Sequence, residues 1–508
     1  MQAPVIVVGA GPVGLMLAGE LRLAGVEVIL IERLPEPAGE SRGLGFTARA
    51  MEVFDQRGLL PRFGAVETSV AGHFGGLPVD FSSFDGAHFG VRGVPQARTE
   101  AILAEWATEL GADIRRGWEL VGLVDDEHGV DAEVRGPDGP ERLRASYLVG
   151  CDGGRSTVRT AAGFDFPGTA ATREMFLADV AGCNLRTRFI GEKVPGGMVM
   201  AAPLGAGVDR IIVCERGTLP RRRTEPPSFA EVVDAWQRLT GEDIHGGTSL
   251  WVSAFTDATR QVTEYRRGRV LLAGDAAHIH LPAGGQGLSV GVQDSANLGW
   301  KLAAVVRGWA PPGLLDTYHS ERHPVGARLL LNTRAQGLLY LSGDEVQPLR
   351  DVMAELIELK SVSRHLAGVV SGLDIRYDVG SGDHPLLGRR MPYQELVMGE
   401  SATSTTQLLY SGRGVLLDFE GNHDLRRTAS GWADRVDMVT ATPLTRGAAG
   451  RLASTEAILL RPDGHVAWAA PSGGELLESL HRWFGFSHPR RDEEHAGAVS
   501  LQRRNKGA

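Results

Sequence analysis

Short runs of consecutive apolar residues, many of them β-branched, punctuate this chain, and several lead through glycines into stretches whose apolar positions recur at helical intervals. That alternation predicts buried strands passing through tight turns into helices. Val5 to Val8 is the first such run; Gly9, Gly11 and Gly14 follow it, and Leu15 to Leu23 reads as a helix. Val28 to Ile31 is a second strand, ending at Glu32. A third starts at Tyr147 and runs into Asp152-Gly153, with Arg155, Ser156 and Arg159 opening a helix. Val270 to Ala273 is a fourth; Gly274-Asp275 ends it, and Pro282 precedes Gly284-Gly285-Gln286-Gly287 and a helix that continues through Asp294 to Leu302. Between these, Met198 to Pro203 and Arg210 to Cys214 are strand-like, and Val325 to Gly372 reads as one long helical stretch. From about His384 the pattern changes. Val415 to Phe419 and Ala457 to Ala469 read as strands, the latter pair joined by the hairpin-forming turn Pro462-Asp463-Gly464, and Leu476 to Phe484 reads as a closing helix.

The glycine spacing carries chemistry. Gly9 permits the turn, Gly11 lets backbone approach a pyrophosphate, Gly14 allows close helix and strand packing, and the helix N-terminus offers unpaired N–H groups and a positive dipole end. Gly9, Gly11, Pro12, Val13 and Gly14 are therefore the first cofactor-binding candidates. Glu32 lies 18 residues beyond Gly14, near the roughly 20 expected of the acid that accepts hydrogen bonds from a ribose; Arg33 beside it could cover the adenine or a phosphate. Glycines after a buried strand are also ordinary turn punctuation, but strand, helix and acid together favour a dinucleotide. The spacing alone does not separate FAD from NAD. In the second signature, Asp275 at a strand end can hold ribityl hydroxyls, or can cap a helix. The turn through Gly285, Gln286 and Gly287 can present N–H groups where a reduced isoalloxazine carries negative charge, or can be a plain loop. In isolation Asp152-Gly153 is equally a solvated turn.

Composition narrows the class without naming the chemistry. At 508 residues, 43% hydrophobic and 23% charged, the chain is ordinary globular material with room for two to four domains. A net charge of -9 argues against nucleic-acid or anionic-membrane partners, and no apolar run is long enough to span a membrane. Cys151, Cys183 and Cys214 are an odd three with no C-x-x-C pairing, which predicts reduced thiols and a cytoplasmic location. His278 and His280 sit two apart on a segment with another task, so no metal site is expected.

Taken together, Gly9-Gly11-Gly14, Asp152-Gly153 with Arg159, and GDAAH...P...GGQG followed by Asn297-Leu298-Gly299-Trp300-Lys301 resemble the class A, para-hydroxybenzoate hydroxylase type of flavoprotein monooxygenase. More closely, Ser41 to Gly58, His73 to Phe81, Gly163 to Thr172 and the stretch from Val262 to Gly287 are similar to FAD-dependent hydroxylases of aromatic polyketides, in particular the angucycline 12-hydroxylase group. The resemblance runs to about Phe486 and implies an α/β (α+β) fold. A Rossmann-like FAD-binding domain (1–72, 94–172 and 266–345) would be interleaved with a β-sheet substrate domain (73–93 and 173–265). A helical connection (346–383), a thioredoxin-like C-terminal domain (384–487) and a disordered tail (488–508) would follow. Without cysteines, that C-terminal domain is expected to act as a scaffold or dimer contact, a homodimer being one allowed state.

The resemblance also implies roles. Glu32 and Arg33 would bind the ADP ribose side of a tightly, non-covalently held FAD, and Arg42 would lie by the flavin with a part in nicotinamide contact. Gln96 and Arg98 would hold the ribityl or pyrophosphate region, Asp152 with Gly153 would sit by the pyrophosphate, and Arg159 would support them. Asp275 would bind the ribityl chain, and Pro282 would lie near flavin carbon 4a. Gly285, Gln286, Gly287 and Leu288 would face the pyrimidine edge. Relatives often continue Met-Asn after GGQG where this chain has Leu288-Ser289, so the resemblance does not carry an asparagine side-chain contact to the flavin over to this chain. NADPH would bind transiently, and oxygen would give a flavin 4a-hydroperoxide attacked by an electron-rich polycyclic aromatic substrate. No substrate base is assigned: His73, Tyr265 and Arg216 fall in segments near the substrate, yet each also reads as a packing or surface residue. Aromatic hydroxylation leads; Baeyer–Villiger-type oxygen insertion on a related ketone and flavin binding without turnover are the other readings.

Overall fold

The computed structural model describes residues 3–40, 43–84, 89–221, 223–444, 452 and 454–487; the 488–508 segment predicted to be a disordered tail lies outside them. Five of its strands form a parallel sheet: β1 (Val5–Val8), β2 (Val28–Glu32), β3 (Asp113–Arg116), β4 (Tyr147–Gly150) and β5 (Val270–Leu272). Their spatial order is β3-β2-β1-β4-β5, with a short antiparallel edge at Arg266–Arg267 beyond β5. Val5 pairs with Val28 on one side and Tyr147 on the other. The connections therefore change direction at β1, and the crevice beyond the carboxyl ends of β1 and β4 is where such a sheet takes a ligand. All four residues of β1 and of β4 are buried, as the unbroken apolar runs require of strands covered on both faces. Helix α1 (Pro12–Leu23) packs against α2 (Gly287–Val306), a 20-residue helix of which nearly every residue is buried.

A second, antiparallel sheet orders the strands Arg188–Val194, Gly197–Gly205, Val208–Glu215, Glu174–Ala181 and Thr248–Thr256. One face is sealed by the helix Phe229–Thr240, opened by a reciprocal capping box between Ser228 and Glu231. Ala178, Val180, Val199, Ala201, Ile211, Val213 and Trp236 make the core of that layer. The long helical stretch expected from Val325 to Gly372 is instead three helices: α3 (Asp316–Leu341), then Gln347–Glu358 and Lys360–Ser371. The break comes where Ser342 leaves helical geometry and Gly343 is extended, which apolar periodicity alone does not register.

The C-terminal part carries a mixed four-stranded sheet ordered Val436–Thr440, Gly414–Asp418, Ala457–Leu460, Val466–Ala470, covered by the helix Leu476–Phe484. The hairpin-forming turn at Pro462-Asp463-Gly464 lies between Arg461 and His465, all of them buried. It reaches α2 and α3. Arg461 bonds both oxygens of Glu321 on α3, at 2.6 and 2.8 Å, and pairs with Asp463; Lys301 of α2 reaches Glu321 at 2.7 Å, and Asn297 reaches Asp463 at 3.2 Å. Arg57 and Arg49 donate to the carbonyls of Pro462 and Asp463 at 2.8 and 2.9 Å. Arg461 also lies over the rings of Trp300, Tyr377 and Trp483. Burial alone would raise the Glu321 carboxyl; Arg461 and Lys301 override it and hold it well below the ordinary carboxylate value.

Arg461→Met leaves Glu321 and Asp463 short of a buried counter-charge and is expected to cost about 3–5 kcal/mol, read as a marked fall in the thermal unfolding midpoint. Arg427→Ala, whose pair with Asp424 is exposed on both sides, should change stability by no more than about 1 kcal/mol in the same measurement.

Candidate functional site

At the end of β1, Gly9 has φ +104, and a Cβ there would lie 2.6 Å from the Cys151 carbonyl oxygen after β4. A Cβ on Gly14 would lie 2.0 Å from the Gly9 carbonyl, so helix and turn meet backbone to backbone. A Cβ on Gly11 meets nothing within 4 Å: the space before the α1 N-terminus, where Pro12 is the first helical residue, is open. Val13 points the other way and packs on Gly274 and Gly291. Glu32 is anchored at the tip of β2 by Ala10 N–H and Leu34 N–H, both at 2.9 Å. Each oxygen keeps acceptor capacity for a further donor. Arg33 beside it is exposed.

After β4, Asp152 accepts from Ser156 Oγ at 2.5 Å and Val158 N–H at 3.1 Å, so its carboxylate is spent on the start of the short helix Thr157–Ala161. Gly153, with φ +78, faces open space. Arg159 donates to the Ala276 carbonyl at 3.0 Å and to the Gly154 carbonyl at 2.8 Å, tying this turn to the one after β5. That second turn is positioned by Asp294 of α2, which accepts from Gly274 N–H (3.1 Å), contacts His278 Nε2 (2.9 Å) and pairs with Arg322 of α3 (2.7 Å). Asp275 itself is exposed and makes no hydrogen bond or ion pair with the other described residues.

Pro282 and Gly285 are exposed, and Gly284 and Gly285 take φ +70 and +64 into α2, whose N-terminus has no side-chain cap. The Gln286 side chain is turned inward, donating to the Ala283 carbonyl and accepting from Asn332 at 3.0 Å. Gly287 and Leu288 remain at the surface of the crevice, where Leu288 meets Gly43. Gln96 joins the same end by accepting from Gly43 N–H at 3.2 Å and donating to Glu100. Arg98 is turned to the Phe63 carbonyl at 2.7 Å. Arg42 lies outside the described residues. The crevice thus runs from Glu32, across an open helix N-terminus and the unengaged Asp275, to a second uncapped helix N-terminus. This donor and acceptor set fits FAD: an acid for ribose, N–H groups for pyrophosphate, an acid for ribityl hydroxyls, and a positive dipole end for an electron-rich ring edge.

Facing this end is the side of the antiparallel sheet away from its covering helix. Register places Met200, Ile212, Leu177 and Ser253 in one row across four strands. Met200, Ile212 and Ser253 are partly exposed although they stand at strand centres, which marks an unfilled cleft. One row nearer α2, Met198, Cys214, Met175 and Phe255 pack with Leu281 and Ala283, the neighbours of Pro282. These residues escape sequence reasoning because both faces of the strands are apolar; only packing tells which face is covered. Asp294 left a fainter signal, a lone acid in an otherwise apolar helix.

Of the three polar residues considered for the substrate, His73 meets the row nearer α2 through Tyr340, edge-on with centroids 5.5 Å apart. Tyr265 is fully buried among Tyr318, His278, His319 and His323, and Arg216 is exposed beside the Ser342 carbonyl. Among the described residues no group of His, Cys, Asp and Glu could hold a metal ion, and no helix is long and apolar enough to cross a membrane.

The family description "FAD binding domain" matches residues 2–333, and "Aromatic-ring hydroxylase, C-terminal" matches 384–487. The crystal structure of CabE, an aromatic hydroxylase from angucycline biosynthesis, is similar with a TM-score of 0.93 and 65% identity, covering 96% of this chain and 100% of that one. A rifampicin monooxygenase of Streptomyces venezuelae is 47% identical over 95% of this chain and 98% of its own length. A dialkyldecalin synthase of Streptomyces rugosporus is 40% identical over 96% of this chain and 99% of its own.

Asp275→Ala removes an exposed carboxylate that makes no hydrogen bond or ion pair with another described side chain, so folding should be unaffected. FAD affinity should fall about 10- to 100-fold, the loss of hydrogen bonds to a charged group worth about 1.5–3 kcal/mol, measured as flavin retained per protein after gel filtration. Burial pushes the His73 imidazole down to about 4 from its ordinary 6.5. As pH falls the unfolded chain therefore takes up this proton first, and the contribution to stability is present above 6.5 and lost toward 4. His73→Gln should flatten that part of a plot of unfolding midpoint against pH.

Proposed function

This chain belongs to the FAD-binding aromatic-ring hydroxylases, and on that premise we propose that it hydroxylates a polycyclic aromatic polyketide of the angucycline type, with NADPH as a transient reductant in the cytoplasm. It is an FAD-dependent monooxygenase. The observation that carries the finer reading is the row of Met200, Ile212, Leu177 and Ser253, a broad and mostly apolar wall set opposite the turn at Pro282. Similarity at 65% identity to a hydroxylase of angucycline biosynthesis supports the substrate class. The interleaved division into 1–72, 94–172 and 266–345 for the cofactor and 73–93 and 173–265 for the substrate, with 346–383 as a helical connection and 384–487 as scaffold, is part of the same proposal.

Bound FAD supplies hydride acceptance and oxygen activation. The chain's own work is positioning. Glu32 accepts from the ribose, the open α1 N-terminus binds the pyrophosphate, and Asp275 accepts from the ribityl chain. The N–H groups of Gly287 and Leu288 stabilise negative charge placed before them. Leu177, Met200 and Ile212 exclude water from the reacting centre and align a flat substrate. His73, neutral at physiological pH, offers a hydrogen-bonding edge beside the cleft without bringing a charge into it.

A ring-forming reaction is the second reading, favoured by the similarity to a dialkyldecalin synthase. Incubating the yellow protein with NADPH, oxygen and a panel of angucycline intermediates separates the cases by product mass. A gain of one oxygen with a new phenol or quinone is expected; a lactone would indicate insertion into a ketone, and an unchanged mass with no NADPH consumed would reject oxygenation.

A further inference from the structure

At the edge of the cleft farther from Pro282, the apolar lining gives way to Arg210, Asp179 and Trp251, in register on three adjacent strands. Asp179 pairs with Arg210 through both oxygens, Nε to Oδ1 and Nη2 to Oδ2, each at 2.7 Å. The Arg210 side chain is 1% exposed and that of Asp179 15%. A guanidinium so removed from water requires its counter-charge, which fixes the carboxylate in one plane. The same guanidinium lies 5.4 Å from the centre of the Trp251 ring, so the indole is held as well. Each carboxylate oxygen has two acceptor directions and spends one on Arg210, leaving the others for a ligand.

A cavity of about 500 Å³ opens at this place, with Asp179, Trp251, Leu204 and Leu250 on the sheet side and Leu44 and Pro95 opposite. Apart from Asp179, Glu40 and Arg210 its lining is apolar or glycine. Glu40 adds a second carboxylate, which disfavours an anionic ligand and favours a neutral hydrogen-bond donor. Asp179 and Met175 stand four residues apart on one strand, about 13 Å at ~3.3 Å per residue. Met175 belongs to the row that touches Leu281 and Ala283. A fused polycycle spans that distance, and a single ring does not.

We propose that Asp179 is a specificity-determining residue: its carboxylate accepts a hydrogen bond from a phenolic hydroxyl on the end of a polycyclic substrate remote from the flavin turn, while Arg210 positions the carboxylate and Trp251 covers the ring. This rests on the proposed function for the identity of the cleft, and it explains how a wall of alkyl groups can orient a flat molecule end for end. A bond from a neutral hydroxyl to a charged acceptor adds discrimination without a change in charge.

The test uses the FAD-loaded full-length protein and two probes, 2,6-dihydroxyanthraquinone and its 2,6-dimethoxy analogue, with dissociation constants from equilibrium dialysis. The wild type should bind the dihydroxy compound about tenfold more tightly, a charge-assisted hydrogen bond of ~1.5 kcal/mol. Removing Asp179 alone would strand Arg210, so the pair is replaced together. Asp179→Leu with Arg210→Met should bring the two constants within about twofold at unchanged flavin content, because a buried pair exchanged for apolar groups of like volume keeps the fold. Asp179→Asn with Arg210→Gln retains a neutral acceptor and should keep a smaller preference of about two- to fivefold. No preference in the wild type, or a preference that survives the apolar pair, overturns the assignment. Hydroxylation of the intermediate panel is scored separately: oxygen gain without the hydroxyl preference sinks the role of Asp179 alone, while the preference without oxygen gain sinks the reaction and leaves the recognition.

Discussion

Two carboxylates buried on neighbouring helices hold this molecule in its working arrangement. Asp294 on α2 gathers Gly274 N–H, His278 and Arg322; Glu321 on α3 gathers Lys301 and Arg461. Ion pairs removed from water add little net stability over well-packed apolar groups, yet each becomes indispensable once its partner is buried. Their consequence here is registration. Because Glu321 and Arg322 are adjacent on α3, that helix is locked to α2 through both acids, and α2 is locked to the turn after β5 and to the C-terminal hairpin. The hairpin could not be withdrawn without exposing Arg461 and Asp463 and leaving Glu321 with Lys301 as its remaining counter-charge.

That registration places both helix N-termini along one crevice. Contact between Gly9, Gly14 and Cys151 sets α1 over the point where the strand order reverses, and Val13 carries the contact on to Gly274 and Gly291. The dinucleotide end and the ring end are therefore parts of a single packed unit. The antiparallel sheet closes over the ring end through Met175, Cys214, Leu281 and Ala283, leaving the central row open as a wall of the cleft. A graded surface results, from alkyl contacts near Pro282 to the Asp179–Arg210 pair at the far edge.

Much of the cofactor crevice was legible in the chain. The runs at Val5, Val28, Tyr147 and Val270 are strands, and the glycines and acids at Glu32 and Asp275 stand where their spacing suggested. Residues marked by resemblance divide on inspection: Asp275 makes no hydrogen bond or ion pair with the other described residues, Glu32 is held by two backbone N–H groups and keeps only its remaining acceptor capacity, and Asp152, Gln286 and Arg98 have their side chains engaged within the protein. Local spacing cannot show that division, because whether a polar group serves a ligand or its own backbone depends on neighbours distant in sequence.

The sequence by itself determined the local order: which segments are strands, which turns need glycine, and which face of each short amphipathic element is apolar. Those depend on steric limits and side-chain periodicity within a few residues. Tertiary structure alone decided that the turn at Pro462-Asp463-Gly464 is buried, that the helical stretch after Val325 breaks at Ser342, and that one apolar face of the antiparallel sheet stays open while the other is sealed. Each of these follows from desolvation, since burying or exposing a group is settled by what packs against it, and Glu321 meets Arg461 only when segments 140 residues apart in the chain come together.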